Sequence, residues 1–363
     1  MRGGEKCLEI LCELYPNADL YTLLYVKNRL SDVIEGMKIK TSFIQHFPKA
    51  TKYYRYYLPF FPTAIEQFDL KGYDLVISAS HCVAKGVLSM PDSLHISYCF
   101  TPMRYVWDMH VDYFKGTHSG LKKISVPFLS NYLRMWDVTS SRRVDHFITI
   151  SKHVRRRIRK FYGRESTVIY PPVDCDFYQP SESNHQKGGY YLMVTAFAPY
   201  KKVDIAIQAF NRWGKPLLIV GDGQELKALK KTAKRNIEFL GWQSNEKVRD
   251  YYQGCKAFIF PGEEDFGIAP VEAQACGKPV IAYGRGGILE SVIPFPQENP
   301  TGIFFSQPTL ESLLNAVDLF ERNIDRFDSN EIRKSALRFH QTNFREKIKA
   351  FIDRKYQEFV VNE

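Results

Sequence analysis

The sequence predicts two doubly wound α/β domains in tandem, and three observations lead there. Short apolar runs recur along the chain between longer amphipathic or polar stretches, as buried strands of a parallel sheet alternate with helices. The alternation pauses once, near the middle, and then restarts. The length, 363 residues at 44% hydrophobic and 25% charged, suits two cores better than one.

In the first half the strand-like runs are 73–78, 95–99, 146–150 and 167–170. Pro171 and Pro172 follow, then Val173, Asp174 and a polar stretch over 181–189, so residues 173–189 read as a linker. Runs at 190–194, 216–220, 237–240, 257–260 and 279–282 rebuild the pattern, with helix-period segments at 203–210 and 225–233 between them. Residues 341–359 read as one long polar helix. The predicted domains are therefore 1–172 and 190–340, with 341–363 a terminal helix that packs back on the first domain. Ligands of such sheets bind beyond the carboxyl ends of the strands, which makes an interdomain cleft the expected site.

No apolar run approaches the roughly 18 to 20 residues that cross a bilayer, and the first residues have no secretory-signal character, so the chain reads as cytoplasmic. Seven cysteines without a Cys-x-x-Cys pair argue against a disulfide framework or a zinc knuckle and read as buried thiols. The net charge of +10 is one-sided. Residues 1–172 carry 25 Lys/Arg against 15 Asp/Glu, whereas 173–363 carry 25 against 25. Such a balance points to an anionic partner: membrane phosphate, a lipid-linked diphosphate or nucleic acid.

The most informative stretch runs from Phe260 to Gly277. A strand ends at Phe260, a glycine-containing loop follows, Pro270 is placed to open a helix, and Gly277 closes it. Glu264 then falls on the loop and Glu272 in the first helical turn. Backbone N–H groups at that helix start, with Gly267 just before it, suit a phosphate. Two carboxylates beside them are acceptors for the paired hydroxyls of a ribose or hexose. Alternatively, Glu272 balances the helix dipole and Glu264 is a solvated loop charge, and spacing alone does not separate these readings.

Glu264 and Glu272 form a Glu-x7-Glu motif whose context, Glu-Asp-Phe-Gly-Ile-Ala-Pro-Val-Glu-Ala, resembles the retaining glycosyltransferases of family 4 (group 1), which have the GT-B fold. The bacterial mannosyltransferase-like branch that builds O-antigen and exopolysaccharide is the most similar. Further resembling segments run in family order from Arg2-Gly-Gly-Glu-Lys6 through 73–86, 98–108, 143–146, 168–174 and 198–204 to Val220-Gly-Asp-Gly223. The resemblance implies that Glu272 holds the ribose hydroxyls of a nucleotide, that Glu264 lies near the donor sugar, and that the Gly267 and Ile268 backbone faces phosphates and sugar. It implies that Lys201 neutralises the diphosphate. Ala196 stands where the family usually has an arginine, which leaves Lys202 to supply that charge or to be a solvated surface lysine. Gly3 and Gly4 match a loop whose backbone approaches the diphosphate, and Gly221 matches a nucleotide-side glycine. His81 matches a histidine that contacts the donor sugar. Phe100 replaces a histidine frequent in relatives, and Arg104 and Trp107 are candidates to shape the acceptor pocket, Trp107 equally a core residue. Since the family has a strand before the Gly-Gly loop, Met1 is expected to be internal, with roughly 10 to 20 residues upstream.

Asp174 and Asp176 match an Asp-x-Asp metal signature, but they sit in the linker, so no metal site is expected. Gly221-Asp-Gly223 lacks the third glycine of a dinucleotide fingerprint. The basic run 152–164, with Arg155, Arg156, Arg157, Arg159 and Lys160, and the aromatic-basic stretch 52–61 are either a solvated helix face and a packed loop or a patch that docks on anionic lipid. No nucleic-acid recognition motif is present.

The expected activity is transfer of a hexose such as mannose, with retention, from a GDP- or UDP-linked sugar to a polyprenyl-diphosphate-linked glycan. No cofactor or metal is expected. The setting is synthesis of lipopolysaccharide or a similar cell-surface polysaccharide, peripheral to the inner face of the cell membrane. The rivals are a nucleotide-sugar epimerase on the same fold and a non-catalytic nucleotide-sugar-binding protein.

Overall fold

A computed structural model describes residues 3–107, 122–181 and 188–362. Arg2 and Asp108 of the resembling segments, and residues 182–187 of the expected linker, lie outside the described residues. The chain divides into two compact units, one of residues 1–172 with 344–363 and one of residues 173–343.

The first unit opens with α1 (Gly3–Leu14), whose Cys7, Ile10 and Leu11 are buried at helical spacing. A small parallel pair follows, β1 (Asp19–Thr22) with β2 (Lys38–Thr41). The main sheet is parallel and runs in chain order, β3 (Leu75–Ser80), β4 (Leu94–Cys99), β5 (His146–Thr149) and β6 (Ser166–Val168). Between β4 and β5 lies α2 (Lys122–Ser140), and between β5 and β6 lies α3 (Lys152–Tyr162), capped by the Ser151 hydroxyl and closed by Gly163 in the left-handed region.

The second unit holds a six-stranded parallel sheet. Its strands are β7 (Tyr191–Val194), β8 (Leu217–Val220), β9 (Ile237–Gly241), β10 (Phe258–Phe260), β11 (Val280–Tyr283) and β12 (Gly302–Phe305). The helices between them include α4 (Val203–Trp213), α5 (Leu226–Thr232), α6 (Asn245–Gly254) and α7 (Ile268–Ala275), with α8 (Leu310–Arg322) and α9 (Ser329–Ala336) after β12. The spatial order, β12-β11-β10-β7-β8-β9, is that of a doubly wound dinucleotide-type sheet, and it reverses between β7 and β10. Tyr191, Ile219, Ile259 and Ile281 at the sheet centre pack against Ala206, Phe210 and Val317 of α4 and α8.

Three expectations change. Residues 173–178 are not linker: Val173, Cys175 and Tyr178 are buried in the second unit, and Val173 pairs with His340. The terminal helix α10 (Gln341–Asn362) is amphipathic rather than polar, burying Phe344, Ile348, Phe351 and Ile352. Its residues from 344 on belong to the first unit, where Phe344 meets Tyr98 and Arg345 pairs with Glu13. Finally, Gly3 and Gly4 form the first turn of α1, not a loop, because the apolar residues that follow recur with helical period.

Among the described residues no helix is long and apolar enough to cross a membrane. The seven cysteines are free, and burial pushes the thiols of Cys7, Cys99, Cys175 and Cys255 up to about 12, which leaves them unreactive.

Candidate functional site

Ligands of a doubly wound sheet bind where the strand order reverses, which here is beyond the carboxyl ends of β7 and β10. Both ends carry a charged residue there. After β7 the chain makes a single turn of 3-10 helix, Pro199–Lys201, and Lys202 enters α4 with φ +54°. After β10 the loop carries Glu264 and reaches Gly267, which adopts φ +91° and delivers the chain into α7 without any side-chain cap. The helix begins at Ile268, two residues ahead of Pro270. That left-handed conformation favours glycine at position 267. The Lys201 ammonium and the Glu264 carboxylate form an ion pair, their side chains 15% and 21% exposed.

Two sets of backbone contacts fix this geometry. A Cβ on Gly262 would fall 2.8 Å from the Tyr200 carbonyl, so the loop and the lysine turn pack backbone to backbone. On the other side, Glu264 bridges Gly286, the Gly287 N–H donates to the Glu264 carbonyl at 2.8 Å, and a Cβ on Gly287 would lie 2.5 Å from Phe266 Cα. Arg285 Nε meets Glu263 Oε2 at 3.1 Å. The sequence reading missed this clasp, although Gly284-Arg-Gly-Gly287 directly after a strand was its signal.

Glu272 lies on α7 and is buried, where it accepts a hydrogen bond from the Tyr252 hydroxyl of α6 at 3.1 Å. Burial first, then the Glu272 charge, pushes the Tyr252 phenol well above its usual range, and the same causes raise Tyr178 beside it. Gly221 directly follows β8 with φ +139°, and a Cβ there would collide with the Thr195 carbonyl just beyond β7, so close approach of the chain past two strand ends explains this glycine. Ala196 is exposed, and Lys202 is near enough to Glu225 to lower its pKa, opposing the larger upward push of burial.

The other site candidates belong to the first unit. His81 is exposed immediately beyond the carboxyl end of β3. Gly4 lies at the same edge, because a Cβ on it would come within 2.8 Å of the Phe100 ring, which follows β4. Trp107 is structural: its ring stacks on Phe161 at 4.5 Å and its N–H donates to Asp137 at 2.8 Å. Asp174 caps the Phe177 N–H and Asp176 meets His340 at 3.1 Å, so both carboxylates of the Asp-x-Asp signature serve local structure. Within the basic run, Lys152, Arg155, Arg156, Arg159 and Lys160 are exposed on α3. Arg157 instead turns inward to the Thr101 hydroxyl at 2.5 Å, because position 157 shares the buried face with Val154 and Ile158. Tyr53, Tyr56 and Phe60 of the aromatic stretch are exposed.

Comparison with known proteins fits this topology. The model described as Glycosyltransferase Family 4 matches residues 23–177, and that described as Glycosyl transferases group 1 matches residues 176–336. An uncharacterized glycosyltransferase of Methanocaldococcus jannaschii is 31% identical over 53% of this chain and 52% of its own length. The O-antigen chain mannosyltransferase RfbU of Salmonella typhimurium is 27% identical over 56% and 61%, and the alpha-1,3/1,6-mannosyltransferase ALG2 of Kluyveromyces lactis 24% identical over 73% and 62%. The matches thus span about half to three fifths of the length of these relatives. Among solved structures, Anabaena HepE in complex with UDP and glucose superposes with a TM-score of 0.71 at 16% identity, covering 97% of this chain and 96% of that one. Sucrose-phosphate synthase from Thermosynechococcus elongatus gives 0.72 at 16% identity, covering 97% and 92%. Matched by two consecutive family models from residue 23 to residue 336 and built from two parallel α/β units of the GT-B kind, the chain belongs to the family 4, group 1 glycosyltransferases.

Proposed function

We propose that the chain transfers a hexose, mannose foremost, with retention of configuration, from a GDP- or UDP-linked sugar to a lipid-linked glycan acceptor in cell-surface polysaccharide synthesis. The observation that carries this reading is the Lys201–Glu264 pair at the point where the strand order reverses, beside the uncapped start of α7. Two of the relatives are named mannosyltransferases, which supports the sugar.

In this reading Lys201 and Lys202 hold the diphosphate. An ammonium has three donors, so Lys201 can keep Glu264 and take a phosphate oxygen together. The bond from the anomeric carbon to the diphosphate breaks, the acceptor oxygen bonds to that carbon on the same face, and the acceptor proton passes to the departing diphosphate. Charge grows on that leaving group, so a fixed cation beside it lowers the barrier. Gly267 and Ile268 offer backbone N–H groups to the phosphates, Glu272 accepts from the ribose hydroxyls, and Glu264 faces the sugar. Gly221 flanks the nucleotide, while His81, Gly3 and Gly4 serve the donor from the first unit. Lys201 takes the part of a divalent ion, and turnover in EDTA is the corresponding expectation.

The polyprenyl-diphosphate acceptor stays in the bilayer, so we place the enzyme at the inner face of the cell membrane. The exposed cations of α3 and the exposed rings Tyr53, Tyr56 and Phe60 support an anionic-surface contact.

A screen of GDP-, UDP- and dTDP-sugars tests the function, with nucleoside diphosphate release measured with and without a polyprenyl-diphosphate glycan. Acceptor-dependent release in EDTA is expected. Conversion of the sugar without acceptor would make the protein an epimerase, and binding without turnover a non-catalytic binder. Absence of binding to anionic liposomes at low salt would remove the membrane contact.

A further inference from the structure

Two tyrosines in the second unit are alike in chemistry and different in place. Tyr191, the first residue of β7, is buried and donates its hydroxyl to Glu321 of α8 at 2.6 Å, a carboxylate that also pairs with Lys256. Tyr252 of α6 is buried and donates to Glu272 of α7 at 3.1 Å. Rings close it in, Phe258 at 5.6 Å and Tyr178 at 5.8 Å between centroids. A phenylalanine would fill this volume equally well, so the hydroxyl is there for its partner. Its burial keeps the phenol protonated, so towards a carboxylate it can only donate.

The helix under Glu272 is held as well. Arg333 Nη1 donates to the carbonyl of Ala275, the last residue of α7, at 2.8 Å and to Tyr178 O at 3.0 Å, while Nη2 reaches Cys175 O at 3.1 Å. With the backbone fixed, the freedom left to the carboxylate is that of its own torsions, and the terminal one is broad. Tyr252 restrains it through one carboxylate oxygen, Oε2.

We propose that Tyr252 is a positioning residue for the donor. By fixing one carboxylate oxygen of Glu272, it sets the orientation in which that carboxylate receives the paired hydroxyls of the ribose. The proposal rests on the reading of Glu272 as the ribose-binding carboxylate.

Calorimetric titration of the full chain with UDP and GDP, and with their 2′,3′-dideoxy analogues, tests it. Wild type is expected to favour the ribonucleotides. Tyr252→Phe should weaken them about tenfold, the scale of one hydrogen bond to a charged group, and leave the dideoxy analogues unchanged. Tyr191→Phe should lower the melting temperature as much as Tyr252→Phe and keep the wild-type preference. In a Glu272→Gln background, Tyr252→Phe should have no further effect on affinity. A wild-type preference in Tyr252→Phe, or equal weakening of both nucleotide types, overturns the proposal alone. Indifference of the wild type to the ribose hydroxyls overturns the reading of Glu272 and the proposal with it.

Discussion

Each unit contains a lysine paired with a carboxylate near its centre of interest, and the two pairs are built for opposite ends. In the first unit Lys85 Nζ lies 2.7 Å from Asp137 Oδ1, with side chains 4% and 0% exposed. Every direction is filled. The other Asp137 oxygen accepts from Trp107 at 2.8 Å and Tyr162 at 2.9 Å, while Lys85 also donates to Ser140 at 3.0 Å and sits over the Trp136 ring. In the second unit the Lys201–Glu264 pair lies at the open carboxyl edge of the sheet, partly exposed on both sides. A closed pair cannot exchange its partners without unfolding its surroundings, whereas an open one can accept a ligand. The charge follows the same division. The first unit carries 30 Lys/Arg against 19 Asp/Glu, and the second 20 against 21, so the basic excess belongs to the unit whose internal pair is sealed.

The largest effect expected from this comparison is on folding. Lys85→Ala leaves Asp137 charged in the core and should cost about 3–5 kcal/mol in urea unfolding. Replacing both partners with apolar residues of similar volume should not recover the loss, because the Trp107 N–H and the Tyr162 hydroxyl would be left without the acceptor that Asp137 gives them. Lys201→Ala should do the reverse, lowering kcat by about 10²–10³-fold with an almost unchanged unfolding midpoint. If Lys201→Ala destabilised the protein as Lys85→Ala does, the open pair would be structural and the distinction would collapse.

The same contrast separates what the sequence makes legible from what it hides. Parallel strands buried on both faces announce themselves as apolar runs, as at Leu217–Val220 and Val280–Tyr283, and the loop from Phe260 to α7 announces itself through glycine, proline and paired glutamates. The small β1–β2 pair does not, because Lys38-Ile-Lys-Thr41 is half-buried on an edge and carries no apolar run. The inward turn of Arg157 is lost in a run of cations, since only its helical phase with Val154 and Ile158 distinguishes it. Tyr252 and Glu272 are twenty residues apart, and the Gly286–Gly287 cradle meets Glu264 from the following loop, so both contacts depend on topology that local pattern does not contain.

A third ion pair marks the weak end of the series. Arg285 and Glu263 flank the candidate site with side chains 66% and 29% exposed, and a pair so open to water gains little from Coulomb attraction. The backbone holds this loop instead, through the Glu264 bridge to Gly286 and the Gly287 N–H. Arg285→Ala should therefore cost less than about 1 kcal/mol in stability, and donor affinity should change only a few-fold. Salt provides the internal control. At about 1 M ionic strength the screening length falls to about 3 Å, so the wild type should lose the contribution of the pair and approach the variant, while the variant itself responds less. A loss in kcat greater than about tenfold at low salt would exceed what an exposed pair supplies, and would mean that Arg285 touches the donor directly.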